Sequence, residues 1–252
     1  MLRVEHLTKI YDNNVLALDD ISFEVPEGQF LVIIGLSGSG KSTLLRCINR
    51  LVEPTSGRVI WNGIDITAAN DEELHTIRRS IGMIFQQFNL VKRSKVITNV
   101  LAGRLGYTNP AWSLINRFSR ADQEMALEKL DRVGIRDKAY NRADELSGGQ
   151  QQRVGIARAL MQNPRLMLAD EPVASLDPAT SHSVMKYLEA LNKEDGITIL
   201  CSLHFLSLAR TYADRIIALK DGKLVFDGLP KEIDDTRFRE IYGEEAVRVE
   251  TA

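Results

Sequence analysis

Gly35-Leu36-Ser37-Gly38-Ser39-Gly40-Lys41-Ser42 is an unbroken match to G-x-x-x-x-G-K-[ST], the pattern of a phosphate-binding loop. Its glycines let successive backbone N–H groups turn toward a β-phosphate, and the helix that follows the loop adds its positive end. Lys41 supplies a point charge for the β- and γ-phosphates, and the Ser42 hydroxyl suits a Mg²⁺ shell. The mechanism needs a strand before the loop and a helix after it. Residues 29–34 form a short apolar run ending at glycine, as in a strand buried on both faces. Residues 42–49 carry apolar side chains at helical spacing. This stretch therefore sets an α/β fold with the loop at a strand's carboxyl end.

Working outward, residues 2–7 and 21–25 look like strands, with Pro26-Glu27-Gly28 as a turn. Pro54-Thr55-Ser56-Gly57 leads into Arg58-Val59-Ile60-Trp61, and Asn62-Gly63 is a strong hairpin signal. From about 89 to 155 the character changes. Met125, Leu127, Leu130 and Val133 recur at helical spacing, and no strong strand follows until Leu166, so this part reads as a helical lobe inserted into the core. Core-type strands return at 166–169 and 197–200. Residues 216–219 and 223–226 look like a closing hairpin through Asp221-Gly222, before a charged helical tail after Pro230.

The chain has 252 residues, enough for one large domain or a core with an inserted lobe. Its net charge of -2 carries no basic excess, so no nucleic-acid partner is expected. The longest apolar stretch, Phe30-Leu31-Val32-Ile33-Ile34, is too short to span a bilayer. Met1-Leu2-Arg3-Val4-Glu5 opens directly into strand-like sequence, with no leader expected. Work at a membrane would then proceed from the cytoplasmic side and through a partner. Cys47 and Cys201 show no ligand spacing and read as buried free thiols of a reducing compartment.

Five more places along the chain could carry chemistry. Arg165-Leu166-Met167-Leu168-Ala169-Asp170-Glu171 is an apolar strand ending in two acids, which a buried strand would not carry without a use for them. Asp170 would hold a Mg²⁺ shell through water. Glu171 would orient and deprotonate an attacking water, a role worth roughly 10²–10⁴ in rate. In isolation such a pair also fits an ordinary helix N-terminus. Leu146-Ser147-Gly148-Gly149-Gln150 opens another helix, with Ser147 as N-cap and two glycines leaving N–H groups open; alone it also fits an ordinary capped helix. Two anion-binding helix starts in one chain can serve one nucleotide together only if two chains meet face to face. His204, after the strand pattern at 197–203, is placed to reach a γ-phosphate, whereas His6, His75 and His182 read as surface or packing residues. Gln86 ends the run Ile81-Gly82-Met83-Ile84-Phe85 and could touch Mg²⁺ or water, and Tyr11 could stack on adenine or simply pack. Asn192-Lys193-Glu194-Asp195 matches the guanine-recognition pattern N-K-x-D, but it follows a helical pattern rather than a strand, which excludes a GTPase.

In this order, these residues resemble the ATP-binding-cassette (ABC) proteins: Tyr11 as A-loop, 35–42 as Walker A, Gln86 as Q-loop and 146–150 as signature. Asp170-Glu171 is similar to Walker B with its catalytic glutamate, Ser175-Leu176-Asp177 to the D-loop, and His204 to the switch histidine. The resemblance covers nearly the whole chain. It implies a P-loop NTPase core with a mixed sheet, an N-terminal antiparallel β subdomain and a helical subdomain inserted at about 89–155. A single domain over 1–246 and a short tail at 247–252 are expected. It also implies ATP contacts from Tyr11, Gly35, Ser37, Gly38, Ser39, Gly40, Lys41, Ser42 and Thr43. Ser147, Gly148, Gly149, Gln150 and Asp177 would contribute across a head-to-tail homodimer. Ser42, Gln86 and Asp170 would hold Mg²⁺, and Glu171, His204, Gln86 and Lys41 would act in catalysis. Implied partners are integral membrane permease subunits and, through them, an extracytoplasmic solute-binding protein, with the chain peripheral on the cytoplasmic face of the inner membrane.

Asp170-Glu171-Pro172-Val173-Ala174-Ser175-Leu176-Asp177-Pro178, Leu101-Ala102-Gly103-Arg104-Leu105-Gly106, the Trp112-containing stretch up to Arg120, and Ala213-Asp214-Arg215-Ile216-Ile217 are similar to the phosphonate-import branch. Phosphonates or reduced-phosphorus oxyanions such as phosphite are the cargo this implies. An importer of amino acids or another small solute, or a cassette working away from membranes, are the alternatives. One departure stands out: Phe205 occupies a position where many relatives carry an acid after the switch histidine.

Overall fold

The computed structural model describes residues 1–108 and 118–243. The Trp112 stretch and the tail at 247–252 lie outside the described residues.

Two sheets share one core. Strands β1 (Leu2–Ile10), β2 (Leu16–Val25), β4 (Ser56–Trp61) and β5 (Ile64–Asp65) form an antiparallel sheet in the order β2-β1-β4-β5. Strands β3 (Phe30–Ile34), β6 (Ile81–Ile84), β7 (Leu166–Asp170), β8 (Thr198–Ser202), β9 (Arg215–Lys220) and β10 (Lys223–Gly228) form a second sheet, ordered β10-β9-β3-β8-β7-β6. All its pairings are parallel except β9–β10, whose antiparallel edge is the hairpin through Asp221-Gly222.

β3 shows why its run is continuously apolar. Side chains alternate across a strand, so Leu31 and Ile33 enter one core cluster with α1 (Lys41–Ile48) and the antiparallel sheet. Phe30, Val32 and Ile34 enter the other, with the helices of the lobe. All five are fully buried, and each contributes about 1.5–3 kcal/mol relative to exposure. The phosphate loop thus hangs from a strand buried on both faces.

Two helices have no counterpart in the sequence reading, one at Asp71–Arg79 and one at Leu206–Tyr212. α2 (Asp71–Arg79) begins with a capping box in which Asn70 and Glu73 satisfy each other's backbone N–H groups, and three acids occupy its first turn. The lobe contains α3 (Val96–Leu101), α4 (Arg120–Arg132) and α5 (Gly148–Leu160). Helix α5 runs to Leu160, past the expected end of the lobe near 155, and returns the chain directly to β7. Among the described residues, α6 (Pro178–Lys193), α7 (Leu206–Tyr212) and α8 (Asp235–Tyr242) follow, the last being the helix expected after Pro230. Cys47 and Cys201 are buried free thiols, as expected. Asn192 of the discarded N-K-x-D match lies within α6, where its amide donates to the Gly28 and Ile197 carbonyls and ties helix to sheet.

Candidate functional site

The site lies at the carboxyl ends of β3, β7 and β8, where parallel strands of an open sheet release their loops. Gly40 is the N-cap of α1 in a left-handed conformation (φ 104°), and a Cβ there would collide with the Ala17 carbonyl oxygen. No side chain caps this helix and no acid sits in its first turn, so its N–H groups remain for an anion.

Lys41 is 3% exposed; its Nζ donates to the carbonyls of Gly35 (2.8 Å) and Leu36 (3.0 Å). Burial lowers its pKa from the ordinary value, opposed by the nearby charges of Glu171 and Asp170. The Ser39 hydroxyl is buried without a hydrogen-bond partner. An orphaned hydroxyl and a buried ammonium around a glycine-lined helix start fit a polyphosphate, whose oxygens accept from both.

β7 ends in Asp170, which is fully buried. Its carboxylate accepts from Ser42 Oγ (2.7 Å) and Ser202 Oγ (3.2 Å), and Arg46 Nη2 lies 3.3 Å away. A buried charge persists only when paired and hydrogen-bonded, and these donors meet that condition. Ser42 and Asp170 are hard oxygen donors of the kind Mg²⁺ selects. Among the described residues no three His, Cys, Asp or Glu side chains gather around a metal position. A divalent ion here would complete its shell with water or nucleotide oxygens.

Glu171 turns the chain out of the strand with φ 47°, a conformation that non-glycine residues hold only when their surroundings enforce it. The enforcing contact is Ser202, whose Oγ accepts from Glu171 N (2.9 Å) while donating to Asp170. The Glu171 carboxylate meets His204 Nε2 at 2.6 Å, Gln86 Nε2 at 2.9 Å and Lys41 Nζ at 3.7 Å. A carboxylate only accepts, so His204 carries its proton on Nε2 in this contact. Residues 41, 86, 171 and 204 of the sequence thus converge on one group. Tyr11 joins from the β1–β2 connection, its hydroxyl 3.3 Å from Thr43 Oγ1 and its ring 5.1 Å from Lys9 Nζ.

The signature residues are arranged differently. Ser147 caps α5, and a capping box closes the turn: Ser147 N donates to Gln150 Oε1 (3.0 Å) and Gln150 N to Ser147 Oγ (3.4 Å). Gly148 lies beside Leu176 and Phe88, and a Cβ on Gly149 would collide with Thr180 of α6. Asp177 caps α6, its Oδ1 accepting from Thr180 N at 3.0 Å. The Thr180 hydroxyl and N–H hold its carboxyl below the usual carboxylate range. Among the described residues, none of these hydrogen bonds reaches the phosphate loop. A cavity of about 600 Å³ opens beside Gln86, Asn89, Gln151 and Ser175, where lobe and core meet.

Sequence reading missed Ser202. Its signal was a hydroxyl closing the apolar run Ile199-Leu200-Cys201; its value comes from lying opposite Asp170 in the β7–β8 register. Phe205 stands at the start of α7 without a side-chain cap and 48% exposed, so the acid-for-phenylalanine exchange leaves the His204–Glu171 contact intact.

Residues 18–174 match the ABC transporter family. The chain is 58% identical over 247 residues to the phosphonates import ATP-binding protein PhnC of Bdellovibrio bacteriovorus, covering 98% of this chain and 95% of that protein. It is 50% identical to PhnC 3 of Halalkalibacterium halodurans, covering 96% and 94%. Among solved structures, the dimeric post-hydrolysis state of the ATP-binding cassette MJ0796 with ADP and Pi matches with a TM-score of 0.81 at 37% identity, over 92% of this chain and 100% of that one. The ADP conformation of the cassette MJ1267 matches with a TM-score of 0.83 at 31% identity, over 96% of each. Phosphate loop, paired acids and these likenesses agree, and the chain belongs to the ABC transporter family.

Proposed function

We propose that this chain is the ATP-hydrolysing subunit of an importer of phosphonates, with phosphite and similar reduced-phosphorus oxyanions within its cargo class. The observation behind the hydrolytic part is the single Glu171 carboxylate held by His204, Gln86 and Lys41 beside the phosphate loop. The observation behind the cargo is likeness to phosphonate-import ATP-binding proteins along nearly the whole chain.

In this reading the loop amides, Ser37, Ser39 and Lys41 bind the phosphates, and Tyr11 and Thr43 bound the adenine side. Ser42 and Asp170, with Gln86, would hold Mg²⁺. The bound ion would neutralise charge on the β- and γ-oxygens. Glu171 orients water and takes its proton, with Gln86 and His204 fixing the carboxylate by hydrogen bonds from either side. Phosphoryl transfer asks for positioning and charge stabilisation, and the chain supplies both without a covalent step.

Two copies meet head to tail, so that Ser147, Gly148, Gly149, Gln150 and Asp177 of one close the nucleotide site of the other. Permease subunits dock where the cavity beside Gln86 opens between lobe and core, and an extracytoplasmic solute-binding protein acts through them. Among the described residues no helix is long and apolar enough to cross a membrane, which accords with a peripheral place on the cytoplasmic face of the inner membrane. One domain over 1–246, with its lobe inserted at about 89–155, carries these parts.

Uptake of labelled methylphosphonate tests the proposal in cells with and without the gene, with phosphite and phosphate as competitors. Uptake lost on deletion, restored by wild type and not by Lys41→Ala, is the expected result. Uptake that persists on deletion would remove the phosphonate assignment while leaving the ATPase.

A further inference from the structure

The Arg158 guanidinium links the loop after Gln86 to the helix behind the signature turn. It lies in the last turn of α5, partly buried, with Nη1 donating to the Asn89 carbonyl (2.7 Å) and Nη2 to the Phe88 carbonyl (2.9 Å). Among the described residues no carboxylate lies within ion-pair distance of it, and burial alone lowers its pKa. Two consecutive carbonyls are thus its compensation for lost hydration. Asn89 is held at φ 49°, a left-handed turn that points both carbonyls at one fork. At one end of this short segment Gln86 Nε2 touches Glu171 Oε2 at 2.9 Å; at Phe88 the ring lies beside Gly148 of the signature turn.

We propose that Arg158 is a positioning residue for ATP hydrolysis: its fork fixes the Phe88–Asn89 turn and so holds Gln86 against the Glu171 carboxylate. The inference rests on the roles given above to Gln86 and Glu171. Through this fork the end of α5 and the Phe88–Asn89 turn are tied to one another. A lysine cannot replace the arginine, because one ammonium on a flexible stem cannot present the planar pair of donors that two adjacent carbonyls require.

The test uses the purified full chain carrying R158K, R158A, Q86A, or Q86A combined with each. Hydrogen exchange of the amides at 86–90 reads the turn directly and does not depend on catalysis. R158K is expected to speed exchange there while leaving 35–43 unchanged; unchanged exchange at 86–90 overturns the inference. In steady-state ATPase assays, R158K is expected to lower kcat about 10-fold, since small misplacements of a positioning group cost up to about 10² in rate. KM for ATP should stay within about twofold. R158K should slow Q86A no further, because both variants remove one interaction; multiplied losses overturn the proposal. Should R158A fail to fold, R158K carries the same cycle. Full activity of Q86A would overturn both the Gln86 assignment and the catalytic half of this inference. Loss of activity in Q86A with unchanged exchange in R158K would overturn the role of Arg158 alone.

Discussion

Helices α1 and α5 begin in opposite ways. α1 starts at a left-handed glycine with no capping side chain, and the polar groups around it face the space an anion would take. α5 starts at a serine whose capping box is closed on itself. The first start is surrounded by Lys41, Asp170, Glu171, Gln86 and His204, all joined by short contacts within one chain. At the second, Gly148 lies beside Phe88 and Leu176, and Gly149 beside Thr180. In the function proposed above, the first is a catalytic wall assembled within one chain and the second a surface that meets another copy. Variants of the wall should act in a single chain, whereas variants of the signature turn should act in trans.

The largest expected effect breaks the wall. Glu171→Gln should lower steady ATP hydrolysis by about 10²–10⁴ while nucleotide binding persists, and an ATP-bound dimer should accumulate in size-exclusion chromatography. Near-normal turnover in that variant would take the water-activating role from Glu171.

Gly149→Ala sharpens the contrast from the other side. The added methyl meets Thr180 and should cost about 1–3 kcal/mol by overpacking, read as a lower Tm. Thr180→Ser removes the opposing methyl and should restore Tm. If hydrolysis stays low after Tm is restored, the turn acts beyond packing; mixing with a chain bearing Lys41→Ala then shows whether activity is regained across two chains.

Ser202→Ala should cost about 1–3 kcal/mol, because it leaves the buried Glu171 N–H unsatisfied and removes a donor to Asp170. Unchanged urea unfolding would show that the left-handed turn at Glu171 is held by something else.

The pH dependence follows from Lys41. Burial lowers its pKa, so its charge is lost at a lower pH than that of a lysine at 10.5. Nucleotide affinity of the free chain should therefore decline before pH 10.5 as pH rises. The stability effect has the opposite sign: a buried charged lysine opposes folding below its folded-state pKa, and that penalty fades as pH rises through it. Fluorescent-nucleotide titration across alkaline pH reads the first effect.

The smallest effect concerns the thiols. Burial pushes the Cys47 thiol up to about 12 and that of Cys201 higher still. Neither should react with a disulfide reagent at neutral pH until the chain unfolds; fast labelling of Cys201 would show that β8 opens locally.

Much of this molecule is written in short-range pattern. The phosphate loop, the apolar strands with acids at their end, the hairpins at Asn62-Gly63 and Asp221-Gly222, and the Ser147 cap depend on backbone geometry within a few residues, so sequence alone determined them. It also placed 41, 86, 171 and 204 at the ends of elements that could share an edge. Helix α2 went unread, although Asn70 and Glu73 carry the signal of its capping box. Other features depend on groups brought together from far apart in the chain. The β7–β8 register put Ser202 opposite Asp170, and the return of α5 across the lobe put Arg158 under two carbonyls about seventy residues away. Nothing near Ser202 or Arg158 in the sequence distinguishes them from a strand-end serine or a surface arginine. Their partners are fixed by strand pairing and helix packing, which are global outcomes of burial, and only the tertiary structure decided them.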